Sequence, residues 1–229
     1  MASNLRDNIQ RVRERIARAC ERAGRRADDV RLIAISKTFS AQLVREAYDT
    51  GLREFGENRV QEAAQKLPGI SDLGITWHLV GHLQSNKAKR ATEFFQWVHS
   101  VDSVRLAAKL DEASAAGGAK LKILLEVNLG TEEAKSGLAE NVALEAVEAI
   151  RQRPNLDLRG LMAIPPFSDD PEASRSFFRQ LRELAEGIRA AGAPNFRELS
   201  MGMSHDFEIA IEEGATMIRV GTAIFGARE

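Results

Sequence analysis

The sequence predicts a single α/β domain in which eight parallel strands close into a barrel, a (β/α)₈ TIM-barrel fold carrying one extra helix at its N-terminus. Three observations predict it. Eight short apolar runs alternate with longer amphipathic stretches, and strands separated by helices pair in parallel through crossovers. Several of the runs are apolar on both faces, as strands must be when helices cover one side and packed side chains fill the other. The length of 229 residues suits one such barrel. An open doubly wound sheet would share the first two features, but no Gly-x-Gly-x-x-Gly turn follows the first strand. No linker, repeat or low-complexity segment divides the chain, so residues 1–229 read as one domain.

The elements follow in order. Residues 4–24 carry Leu5, Ile9, Val12, Ile16 and Ala19 at helical spacing, with Gly24 as a stop. Cys20 falls near the same stripe; as the single cysteine it has no internal disulfide partner and reads as a buried, inert thiol. The strands expected next are Arg31–Lys37, Arg53–Asn58, Thr76–His82, Trp97–Val101, Lys122–Leu129, Leu156–Ile164, Glu198–Gly202 and Met217–Phe225. Helical patterns lie between them at Ala41–Thr50, Asn58–Leu67, Asn86–Phe95, Val104–Ala116, Asn141–Arg151, Glu172–Ala191 and His205–Glu213. The turn-rich stretch Pro165–Pro171 follows a strand, as a βα loop does.

An apolar fraction of 44% supports a sizeable core, and 28% charged residues is ordinary for a protein surface. The net charge of −1, from 32 basic and 33 acidic side chains, supplies no field that would steer the chain to nucleic acid or an anionic membrane. No apolar run nears the roughly eighteen residues of a membrane span, and the N-terminus lacks the apolar core of a secretory signal. The expected compartment is the cytoplasm.

In such a barrel the active face collects the C-terminal ends of the strands. The unusual polar residues gather there: Lys37, Glu57 and Asn58, His82, Ser100 and Asp102, Asn128, Ser200 to Ser204, and Arg219 to Thr222, with Met162 nearby. Two C-terminal segments, Leu199-Ser-Met-Gly-Met-Ser-His-Asp-Phe-Glu208 and Ile218-Arg-Val-Gly-Thr-Ala-Ile-Phe-Gly226, each read as a strand ending in a glycine turn rich in hydroxyls and free N–H groups. Small residues let main-chain amides approach phosphate oxygens there. The plainer reading is that the glycines only make turns and that Ser204 caps a helix starting near His205. Closure sets the first strand beside the last, bringing Lys37 next to this cradle and to Arg219. Lys37 could snorkel to water; with desolvation and a neighbouring cation it suits imine formation with a phosphorylated carbonyl compound. Of His78, His82, His99 and His205, His82 stands at a strand end, and the others read as core or surface. No metal-ligand pattern is present, so no metal is expected. The basic patch Asn86–Arg90 reads as a solvated helix face.

Over nearly its whole length the chain resembles the pyridoxal 5′-phosphate homeostasis protein family, the YggS/PROSC group. The marks are Ala34-Ile-Ser-Lys-Thr38, Phe55-Gly-Glu-Asn-Arg-Val-Gln-Glu62, Trp77-His-Leu-Val-Gly-His-Leu-Gln-Ser-Asn-Lys87, Ser100-Val-Asp-Ser103, Lys135-Ser-Gly137, Arg159-Gly-Leu-Met162 and the C-terminal segments above. Two departures are Arg59, where tyrosine is common, and Gly130-Thr131 in place of a serine–glycine pairing. The resemblance implies a barrel like the N-terminal domain of alanine racemase and pyridoxal 5′-phosphate (PLP) held as an imine on Lys37. It also implies Arg219 facing the pyridine nitrogen, the phosphate on Ser200, Met201, Gly202, Gly221 and Thr222, and Asn58 and His82 near the ring.

An arginine at the ring nitrogen keeps its own proton, which leaves the pyridine a weaker electron sink. Racemisation needs two acid/base groups, one of them in racemases a tyrosine from a second domain; the only tyrosine here, Tyr48, falls in a predicted helix. The expectation is a PLP carrier, buffering or delivering the cofactor to PLP-dependent apoenzymes with little or no catalysis, and monomeric. The rivals are a PLP-dependent amino-acid racemase and an imine-forming aldolase acting on a sugar phosphate.

Overall fold

The computed structural model describes residues 5–130 and 136–226. Its strands are β1 (Arg31–Ile35), β2 (Glu54–Glu57), β3 (Thr76–Leu79), β4 (Trp97–Val101), β5 (Leu121–Asn128), β6 (Leu156–Met162), β7 (Glu198–Met203) and β8 (Met217–Val220). Each is parallel to its neighbours. β1 pairs with β8 from Arg31 opposite Met217 to Ala34 opposite Val220, and β4 pairs with β5. The ring is therefore closed, and an eight-stranded ring is just wide enough for side chains to fill its interior. A two-residue strand, Leu138–Ala139, adds to the end of β5.

The helices are α1 (Leu5–Arg22), α2 (Ala41–Asp49), α3 (Val60–Lys66), α4 (Ala88–Thr92), α5 (Val104–Ser114), α6 (Glu140–Arg151), α7 (Arg175–Ala190), α8 (Phe207–Glu212) and α9 (Thr222–Phe225). They bury one continuous apolar layer against the outside of the ring, from Ile9 and Val12 on α1 to Phe207 and Ile224 at the far end of the chain. A smaller cluster of Ile33, Ile35, Val80, Trp97, Leu124, Met162 and Met217 fills the interior. Ser40 and Ser103 cap α2 and α5 by accepting the amides of Leu43 and Leu106, each hydroxyl satisfying a first-turn donor that lacks a helical partner.

The sequence expectations overrun most strands at their C-terminal ends. Lys37, Asn58, His82 and Ile164 lie past the ladder, because the chain turns outward there to reach the helical layer. The largest difference is 221–225, expected as strand, where Thr222–Phe225 forms α9. A four-residue apolar run has the same appearance in either state, since periodicity needs more residues to declare itself. Cys20 is buried, as expected.

Candidate functional site

The C-terminal ends of the strands form one mouth, and β1 and β8 supply its basic groups. Lys37 stands two residues past β1, half-buried in the turn. The last pair of the β1–β8 ladder is Ala34 with Val220, so the turn that carries Lys37 and the start of α9 leave the barrel from neighbouring strands. The next residue, Thr38, has φ +69°, a conformation that a β-branched side chain rarely adopts and that costs of order 1 kcal/mol or more. The turn is pinned from beneath: the Lys66 ammonium donates to the Ser36 carbonyl at 2.7 Å and to Glu57 Oε1 at 2.6 Å, and Ser36 donates to the same carboxylate at 2.7 Å. Burial nevertheless holds the Glu57 carboxyl above its usual range, with Lys66 opposing.

Arg219, on β8, is 4% exposed. It donates to Ser200 Oγ at 2.7 Å and to the Ala163 carbonyl at 3.0 Å. Burial pulls its pKa to about 10, against the attraction of Asp206 and Glu126, so the guanidinium keeps its charge at neutral pH. Among the described residues no carboxylate lies within ion-pair distance of it.

The glycine turns of β7 and β8 face each other. Gly202 has φ +87°, and a Cβ there would stand 2.5 Å from Ala210 Cβ and 2.9 Å from Phe207 Cα. Only glycine lets the end of β7 approach α8 so closely. Ser204 does not cap the helix expected near His205. That helix starts at Phe207, with Asp206 before it, and the Ser204 hydroxyl instead accepts the amides of Gly221 at 3.2 Å and Ala223 at 3.3 Å. The hydroxyl thereby ties the β7 turn to the first turn of α9. Thr222 is exposed beside them and Gly221 half-exposed.

Four further residues expected at the site are placed as follows. The Met201 side chain belongs to the outer apolar layer, so only its main chain faces the turn. Ser200 is fully buried beneath the mouth, its hydroxyl engaged by Arg219 and by His99 Nδ1 at 2.8 Å. His82 is on the rim, largely exposed, with Nδ1 3.3 Å from Asp102 Oδ2. Asn58 is half-buried just past β2, where its main chain crowds Gly81 so closely that a Cβ at 81 would clash. Of the residues marking the resemblance, Lys135 lies outside the described residues, as does Thr131.

Sequence reasoning missed Glu126 on β5, which is 6% exposed. One oxygen accepts from Ser136 at 2.9 Å, and the other has no partner. Burial pushes this carboxyl up, Ser136 pulls it down and Asp102 adds to the rise, while Arg219 and His82 oppose. A glutamate inside the apolar run Ile123–Val127 was the available signal. Among the described residues no group of three or more His, Cys, Asp or Glu could hold a metal, and no helix is long and apolar enough to cross a membrane.

The profile of the alanine racemase N-terminal domain family matches residues 3–229. A pyridoxal phosphate homeostasis protein of Pseudomonas aeruginosa is 47% identical over 227 residues, 99% of this chain and 97% of the relative. The chain belongs to the pyridoxal phosphate homeostasis protein family. The similarity extends to solved structures. PipY of Synechococcus elongatus, solved with PLP bound, superposes with a TM-score of 0.87 at 39% identity, covering 97% of this chain and all of that one (100%). An alanine racemase of Clostridium difficile superposes with a TM-score of 0.78 at 14% identity, covering 99% of this chain and 60% of that one; it shares the fold. The homeostasis-family barrel thus matches the racemase barrel in architecture at low sequence identity.

Proposed function

We propose that this protein binds pyridoxal 5′-phosphate through Lys37 and serves PLP homeostasis, holding the cofactor and releasing it to PLP-dependent apoenzymes, with little or no turnover of its own. The observation that carries the reading is the pairing of β1 with β8, which brings an amine-bearing turn and a buried guanidinium, with no carboxylate in contact among the described residues, to one end of the barrel. The homeostasis family and the PLP-bound PipY support it. The residues fit the group. Lys37 offers an amine to an aldehyde, the half-exposed Gly221 and exposed Thr222 leave main chain near solvent for a phosphate while Gly202 is buried against α8, and Arg219 is the partner assigned to the ring nitrogen. Bound PLP supplies a carbonyl carbon that reacts with amines and a ring that can accept electrons. A charged Arg219 at the nitrogen would withhold the proton that makes that ring an effective sink.

The single tyrosine argues against efficient racemisation. Tyr48 lies on α2, outside the ring, with the Arg53 guanidinium 3.8 Å from its ring centroid, so it does not stand opposite Lys37 as a second proton-transfer group. The test is borohydride reduction of the PLP-loaded protein followed by peptide mass spectrometry. A yellow protein with the label on Lys37, and neither in Lys37→Ala, is expected; a label on another lysine, or no uptake of PLP, would overturn the reading. Incubation with single amino-acid enantiomers tests the rest, because racemisation well above that of free PLP would make the protein an enzyme.

A further inference from the structure

A row of hydrogen bonds crosses the barrel interior that none of the roles above requires. Glu54, the first residue of β2, has Oε2 2.6 Å from His78 Nε2. His78 Nδ1 is 2.9 Å from His99 Nε2, and His99 Nδ1 is 2.8 Å from Ser200 Oγ. Arg219 donates to that same hydroxyl at 2.7 Å. The five side chains come from β2, β3, β4, β7 and β8. Since β4 and β7 are not neighbours in the ring, the contact between His99 and Ser200 spans the lumen. His78, His99 and Ser200 are fully buried; Glu54, 27% exposed in its side chain, is the end that meets water at the opposite face from Lys37.

The Glu54 end and the neutrality of both rings order the protons along the row. Arg219 only donates, so Ser200 Oγ accepts from it. The hydroxyl has a second lone pair, and its direction is set from the other end, where the Glu54 carboxylate accepts a hydrogen bond from His78. With both rings neutral, Ser200 therefore gives its one hydrogen to His99 Nδ1. His99 then carries its ring proton on Nε2 and donates it to His78 Nδ1. His78 in turn carries its proton on Nε2 and donates to Glu54, which as a carboxylate only accepts. Protonating His99 would leave the Ser200 hydrogen without an acceptor and set a second cation beside Arg219. Burial, the neighbouring ring and Arg219 all oppose that, as does Arg31 on β1. For His78, burial outweighs the pull of Glu54, with Arg31 and Lys122 on β5 adding to it. Glu198 on β7 is paired with Arg31 at 3.3 Å, and at the other end Asp206 and Glu126 attract Arg219.

We propose that Glu54, His78, His99 and Ser200 form a one-directional hydrogen-bond chain that positions Arg219, holding both histidines as neutral Nε2–H tautomers and placing the chain's only formal negative charge at the far face of the barrel. The consequence rests on the assignment of Arg219 to the PLP ring nitrogen. A carboxylate in contact would quench the cation and pull it aside. The chain instead anchors one edge of the guanidinium through a neutral hydroxyl, with Ala163 O holding a second N–H, and leaves its charge acting at the mouth. These four are positioning residues.

Two measurements test this on the full chain. Long-range ¹⁵N–¹H correlation spectra, recorded without and with PLP at neutral pH, should show two of the four histidines as neutral Nε2–H tautomers with ring protons slow to exchange. Finding either His78 or His99 protonated, or as the Nδ1–H form, overturns the chain whether or not PLP binds. Glu54→Gln keeps the shape of the carboxylate and removes its charge. With Arg219 less compensated, the pH midpoint at which the bound cofactor's visible band changes should move down, although residue 54 lies at the opposite end of the barrel. An unmoved midpoint in a folded, loaded variant would refute the electrostatic link. Failure of the unaltered protein to take up PLP would refute the functional reading instead, and the spectra alone would then decide the proton order.

Discussion

Two backbone positions at the mouth take conformations that most residues avoid, Thr38 at φ +69° and Gly202 at φ +87°. The second can be tested directly. Gly202→Ala would combine the strain of a side chain at positive φ with a contact to Ala210 that something must relieve, together about 2 kcal/mol or more. A fall of that size in the urea unfolding free energy, with weakened PLP uptake, is expected; a neutral substitution would mean that the β7 turn is not held against α8. That Lys37, Arg219, Gly202 and Gly221 come to one end of the barrel was legible from residue type and position along the strands. The partners of Ser200 and Ser204 were not. A hydroxyl's use depends on what stands within about 3 Å of it, and for Ser200 that is His99, 101 residues away in sequence.

Among the elements, α1 and α9 depend on each other although they open and close the described chain. Four residues make α9 far too short to persist alone. It is held by the packing of α1 and by Asn8, whose Nδ2 donates to the Ile224 carbonyl at 2.9 Å. Asn8→Ala would leave that carbonyl without its side-chain donor, a loss of about 1–3 kcal/mol. It should also loosen the Gly221–Ala223 amides that Ser204 gathers. Lower stability together with weaker binding of inorganic phosphate is expected; a stability loss that leaves phosphate binding unchanged would separate α9 from the site. The core-facing stripe of α1 could be read from its spacing, whereas the segment it covers could not, because helical periodicity records that a face is buried and not against what.

For the molecule as a whole, the buried histidines dictate a response to acid. His78 and His99 have folded pKa values below the ordinary range through burial, while in the unfolded chain each titrates near about 6.5. As pH falls below that point the unfolded state takes up protons that the folded state refuses, so stability declines by up to about 1.4 kcal/mol per pH unit for each ring. Glu57 and Glu126 act oppositely: their raised folded pKa values mean that acid relieves a buried charge. Glu54, with a lowered pKa, joins the histidines at still lower pH. Because the histidine term begins at the highest pH, denaturation midpoints should drop as pH is taken from about 7 to about 5.5, and a His99→Leu variant should show a shallower drop. A flat profile in the unaltered protein would contradict neutral buried rings.

Alternating apolar runs, doubly buried strands and the clustering of polar residues at strand ends are local properties, so the barrel, its order of elements and the family were all present in the amino-acid sequence. The pairing of distant side chains was not. Glu54, His78, His99, Ser200 and Arg219 come from five strands spread over 166 positions, and they meet only because the ring closes. Linear spacing carries no information about which residues share one layer of a barrel interior; that is set by the stagger of neighbouring strands, which exists only once the chain has folded.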